Sequence, residues 1–112
     1  MNSSQPELQL IHRDRVLIEV LQEGKPVHLS QRERSLLSIL AREPGRVVLR
    51  DTLRDEHDLD DQELYNQIYR LRRKLGRSLI EQVGGRSGVG PRAASGYRLA
   101  GVQVIWIEVR AS

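Results

Sequence analysis

Gln62, Asn66, Tyr69 and Arg73 recur at intervals of three or four residues, with Arg70 beside them. A helix turns about 100° per residue, so these five side chains gather on one face. Amides and guanidinium groups pair bidentately with base edges, and arginines clamp phosphates. An ordinary solvated helix carries Glu and Lys on its outer face, so this face is equipped to recognise a polyanion rather than to make or break bonds.

A helix over 62–76 must position that face, and the same stretch supplies the means. Leu64, Ile68, Leu71 and Leu75 form a narrow apolar stripe on the opposite side, the pattern of a helix seated on a core. Asp60, Asp61 and Glu63 favour its N-terminus through the helix dipole. Upstream, Ser30-Gln31-Arg32-Glu33 spells a capping box. It predicts a helix that turns Leu36, Leu37, Ile39 and Leu40 inward and stops before Pro44-Gly45. A brief extended piece at 47–49 and a short helix over 50–56, presenting Leu53, lead into an acidic loop at 57–61.

Before these helices, residues 8–12, 16–21 and 26–29 read as a small antiparallel meander after a frayed tail at 1–7. After them, 79–83 and 96–99 read as strands flanking the glycine-rich loop 84–95, which carries Arg86 and Arg92. A helix-turn-helix followed by such a hairpin is a winged helix. The expected fold class is α+β: an N-terminal antiparallel sheet, three helices, a C-terminal hairpin wing and an extra C-terminal strand. Domain boundaries follow as a tail at 1–7, a DNA-binding domain at 8–99 and an extension at 100–112.

Charge supports a nucleic-acid partner. Residues 1–50 carry eight Arg/Lys against six Asp/Glu, residues 51–63 one against seven, and residues 64–99 eight against one. The local balances are +2, −6 and +7, and the strongly basic block contains the helix. Sixteen of the eighteen basic residues are Arg, which favours directional contacts.

Order and motif together resemble the DNA-binding output domain of OmpR/PhoB-type response regulators. The likeness rests on Leu-Ser-x-x-Glu at 29–33, Pro-Gly-Arg-Val-Val at 44–48, Ile-x-x-Leu-Arg-x-Lys-Leu at 68–75 and Gly-Tyr-Arg-Leu at 96–99. The resemblance implies base contacts from Asn66 and Arg70 and phosphate contacts from Gln62, Gln67, Tyr69 and Arg72. It stresses Arg73 less than the helical wheel does. It also implies that the acidic loop, residues 55–61, is where an activating member would meet RNA polymerase. Two departures stand out: Leu64-Tyr65-Asn66 replaces the usual Val-Asp-Val, and the wing is about ten residues longer, so Arg86 or Arg92 must supply any minor-groove arginine. No receiver domain precedes the module, which suggests a free-standing regulator or an excised domain.

The expected function is sequence-specific binding of double-stranded DNA by a bacterial transcriptional regulator. Its alternative is an adaptor that keeps the winged-helix core and binds a partner protein. No enzyme is expected, because no nucleophile set, Walker lysine or carboxylate pair in a pocket is discernible. No cofactor or metal is expected either: the acids at 55–61 lack an EF-hand's glycine and final glutamate, and Gly88-Val-Gly90-Pro91-Arg92-Ala93 opens no helix. His12 and His28 sit in strand contexts without nearby ligand spacing. Without cysteines, a signal peptide or a long apolar run, the expectation is a soluble cytoplasmic protein with no membrane contact. Beyond residue 99, Val102, Val104 and Trp106 alternate with Ile105, Ile107 and Val109. Such a strand either pairs within the monomer, with Trp106 completing the core, or forms the contact of a homodimer.

Overall fold

Two tight hairpins open the chain. Each closes on a two-residue turn in the left-handed region, Asp14 and Arg15 (φ 52° and 66°) in the first and Glu23 and Gly24 (52° and 79°) in the second. That handedness matches the twist of the flanking strands. The computed structural model describes residues 5–85 and 95–110. Strands β1 (Glu7–Arg13), β2 (Val16–Gln22) and β3 (Lys25–Pro26) pair antiparallel in sequence. The third strand is shorter than the expected 26–29. Val27 donates one last bond to the Val20 carbonyl (2.8 Å), and the chain then turns to bury Leu29 and cap the first helix.

Helix α1 (Gln31–Ala41) starts where the capping box puts it: the Ser30 hydroxyl accepts from Glu33 N–H at 3.2 Å, and the Glu33 carboxylate accepts from Ser30 N–H at 2.8 Å. Leu36, Leu37 and Leu40 are buried, Ile39 only partly. Strand β4 (Val48–Leu49) runs directly into α2 (Arg50–Glu56), whose Leu53 is fully buried. Helix α3 (Asp61–Leu75) buries Leu64, Ile68, Leu71 and Leu75. Its stripe therefore sits on the core as its periodicity requires.

Strands β5 (Ile80–Val83) and β6 (Gly96–Leu99) form the hairpin, and β4 pairs with β6 to make a three-stranded sheet ordered β4-β6-β5. Helices α1, α2 and α3 followed by this hairpin constitute a winged helix-turn-helix.

The last strand, β7 (Gln103–Glu108), joins the N-terminal sheet in the order β3-β2-β1-β7. It lies parallel to β1, with Glu7 opposite Gln103 and His12 opposite Glu108. Intramolecular pairing is thus observed, but Trp106 does not complete the core: it is 39% exposed, its ring edge-on to His12 at 5.4 Å. An edge strand has a neighbour on one side only, so packing cover fades toward its free edge.

Candidate nucleic-acid interface

Helix α3 turns its buried stripe inward and leaves Gln62, Asn66, Tyr69, Arg70 and Arg73 exposed, while Gln67 and Arg72 are half-buried. The exposed residues are partly organised before any ligand arrives. Gln62 Nε2 donates to Asn66 Oδ1 at 3.1 Å, one turn along the helix, and the Arg73 guanidinium lies 6.0 Å from the centre of the Tyr69 ring. Such contacts restrict side chains that would otherwise lose more rotamer freedom on binding.

The two half-buried residues behave differently. Arg72 donates from Nε (3.0 Å) and Nη2 (2.8 Å) to the carbonyl of Ile80, tying the helix to the first residue of the wing. Gln67 has its carbonyl oxygen buried without a hydrogen-bond partner among the described residues. The structure therefore brings all seven helix candidates onto one element but gives Arg72 a positioning duty as well. Arg86 and Arg92 lie outside the described residues. Of the wing, the two strands are described, braced by Arg98, whose Nε and Nη2 both reach Glu81 Oε1 at 2.7 Å across the ladder.

Contacts at both ends hold α3 in place, some of them from residues that the sequence does not single out, such as Gln22, Arg50, Arg54 and Lys74. At its start, the Asp60 side chain accepts from Glu63 N–H (2.8 Å) while Glu63 reaches back to Asp60 N–H (3.4 Å). This second capping box is spelled in the sequence as Asp-x-x-Glu, and it adds direct hydrogen bonds to the dipole effect expected of these acids. Arg54 Nη1 donates to Asp61 Oδ1 at 2.9 Å, and Arg50 lies 3.7 Å from the same oxygen. The hydrogen bond to Asp61, only partly offset by desolvation, raises the Arg54 pKa above its ordinary value, with Asp51 and Asp55 adding to it.

At the other end, Gln22 Nε2 caps the Leu75 carbonyl (2.6 Å), and Lys74 Nζ meets Glu33 Oε1 at 2.7 Å. Glu33, a capping residue of α1, is 1% exposed. Burial pushes its carboxyl up, but hydrogen bonds from Lys74 and the Ser30 backbone, with the Lys74 charge and the Ser30 hydroxyl, hold it net below its ordinary value. One carboxylate thus starts α1 and anchors the end of α3.

The acidic loop is short and anchored. Leu59 is buried and donates its N–H to the Arg54 carbonyl (2.9 Å), His57 Nδ1 lies 2.9 Å from the Leu53 carbonyl, and Asp58 takes a positive φ of 51°. Arg54 sits within 4 Å of Asp51, Asp55 and Asp61, so much of the local acid is internally balanced. Among the described residues no three His, Asp or Glu side chains are grouped as a metal site, and no helix is long and apolar enough to cross a membrane.

Comparison with known proteins agrees with this architecture. The family described as "Transcriptional regulatory protein, C terminal" matches residues 24–87. Among solved structures, the response regulator DrrB of Thermotoga maritima, described as an OmpR/PhoB homolog, superposes with a TM-score of 0.62 at 25% sequence identity. The match covers 75% of this chain and 38% of that one. No curated protein matches the sequence.

Proposed function

The chain belongs to the OmpR/PhoB-type family of C-terminal DNA-binding domains of transcriptional regulators, and from that premise we propose that it binds duplex DNA sequence-specifically, with α3 in the major groove. The observation that carries this reading is the exposed face of α3, which gathers two amides, a phenol and two arginines above a fully buried stripe. Asn66 and Arg70 are the base readers; Gln62, Gln67, Tyr69 and Arg72 contact phosphates, and Arg73, stacked beside Tyr69, extends the same surface. Arg86 and Arg92 of the wing read the adjoining minor groove. The exposed acids of the loop at 55–61 offer a contact to RNA polymerase.

Binding assays on selected and random duplexes over a range of salt test the reading. Arg70→Ala should cost about 1–3 kcal/mol on the selected site and relax preference at one base pair. Arg72→Ala should weaken binding to every sequence and flatten the slope of log K against log salt by roughly 1. A chain for which no preferred sequence emerges, and which neither substitution affects, would be a protein-binding adaptor instead.

The wing makes a separate expectation. Narrow A·T-rich minor grooves concentrate negative potential and attract arginine. Footprints should therefore extend over A·T-rich flanks and contract in the Arg86→Ala/Arg92→Ala double variant. Equal protection of G·C-rich flanks would remove the minor-groove role.

A further inference from the structure

The N-terminal sheet has two edges, and they are built in opposite ways. At one end, β3 is two residues long and consists of Lys25 and Pro26, a short charged strand with a residue that cannot donate. Natural sheets blunt their edges with these devices, because an open edge recruits another strand. At the other end, β7 runs for six residues, and from Gln103 to Ile107 it holds neither a charge nor a proline. Trp106 and Ile107 are 39% and 36% exposed.

The register of β7 on β1 decides which backbone groups the open edge offers. Gln103 and Val109 donate to the Pro6 and His12 carbonyls of the β1 side, both at 2.9 Å. Backbone groups of successive strand residues turn to opposite edges. The N–H and C=O of Val104, Trp106 and Glu108 therefore point outward, where no strand lies among the described residues.

We propose that β7 is a homodimerisation strand, pairing antiparallel through this edge with β7 of a second copy and centred on Trp106. The two four-stranded sheets then become one of eight. The sequence is self-complementary in that register: Trp106 faces its own counterpart, Val104 faces Glu108, and Ile105 faces Ile107 twice over. A two-fold axis normal to the sheet keeps each side chain on its own face, so the isoleucines cluster on one side and the tryptophans on the other. Shifting the centre to Glu108 would oppose like charges, whereas centring on Trp106 brings neither Glu108 nor Arg110 onto itself. A second copy thus satisfies backbone, apolar and charge requirements together.

The dimer stands apart from the DNA reading, which enters only in a consequence: two-fold related α3 helices call for inverted half-sites. Light scattering and sedimentation on the full chain give the direct test. The wild type should weigh twice 12.8 kDa and dissociate on dilution. Ile107→Lys, which places a charge on the open edge at an exposed position, should weigh 12.8 kDa with an unchanged circular dichroism spectrum. Trp106 is the only tryptophan, so its emission should shift to the blue as the wild type associates and stay fixed in the variant.

Register is tested separately by oxidation, since the chain has no native cysteine. A mixture of Val104→Cys and Glu108→Cys chains should cross-link, while neither should cross-link alone. A wild type of single-chain mass up to its solubility limit, an Ile107→Lys variant that remains dimeric, or cross-linking of one cysteine variant with itself would overturn the proposal. Absence of a selected DNA site with the dimer intact would count against the DNA reading only.

Discussion

Glu33→Ala is expected to destabilise the domain by about 2–5 kcal/mol at neutral pH, although no part of Glu33 belongs to the exposed face. Two losses add up to this figure. Removing half of a capping box costs about 0.5–2 kcal/mol, and a charge-assisted hydrogen bond is worth about 1.5–3 kcal/mol. Lys74, the partner released, is 40% exposed and finds water, which keeps the total from reaching the cost of a stranded buried charge. Denaturant unfolding measures the difference.

Acid should erase part of it. The folded-state Glu33 carboxyl sits below its ordinary value. Its ionisation therefore stabilises the fold fully above the unfolded value, about 4.3, and that contribution is lost as pH falls through the folded value. Glu33→Gln retains an oxygen for Ser30 N–H but carries no charge, so its deficit against the wild type should shrink between pH 7 and pH 3. A deficit that stays constant over that range would mean that the Lys74 contact contributes nothing through charge.

The elements read correctly from sequence were those whose signals are local. Ser30 and Glu33 sit three residues apart, the stripe from Leu64 to Leu75 repeats each turn, and Glu23-Gly24 lies between two short strand patterns. Each feature is decided by neighbours along the chain. The exposed face of α3 followed for the same reason, because once the stripe is placed the opposite face is fixed by the helical repeat.

What sequence could not supply were partners brought together by folding. Glu33 and Lys74 are 41 positions apart, and nothing in either neighbourhood announces the other. Arg72 carries the charge of a phosphate-binding residue, yet its Nε and Nη2 go to the Ile80 carbonyl, an acceptor that every residue possesses. Residues 102–109, apolar on both faces, suited either a core strand or an interface strand. Only the pairing of β7 with β1, 96 residues upstream, shows that one edge is satisfied internally and the other is open among the described residues.

Gly96→Ala should cost about 2–4 kcal/mol and loosen the base of the wing, for a reason of space rather than of backbone angle. A Cβ at residue 96 would stand 2.6 Å from the Val48 carbonyl oxygen and 2.8 Å from a Val47 methyl carbon. The first is backbone and cannot rotate away, so β4 must withdraw from β6. Overpacking of this kind costs about 1–3 kcal/mol, and each ladder hydrogen bond lost with it about another 1 kcal/mol. The displaced strand runs directly into α2, where Arg50 N–H donates to the Ser95 carbonyl at 2.8 Å, and it faces Tyr97, which is 2% exposed. Unfolding curves should therefore shift to lower denaturant, and amide exchange at Val48, Leu49 and Tyr97 should accelerate more than exchange within α3. Because the C-terminal end of α3 is anchored through Glu33 and Gln22, neither of which lies on β4 or α2, duplex binding by the folded fraction should retain the base preference set by Asn66 and Arg70. If exchange rises equally in α3 and the base preference is lost, then the wing base and the recognition helix unfold as one unit.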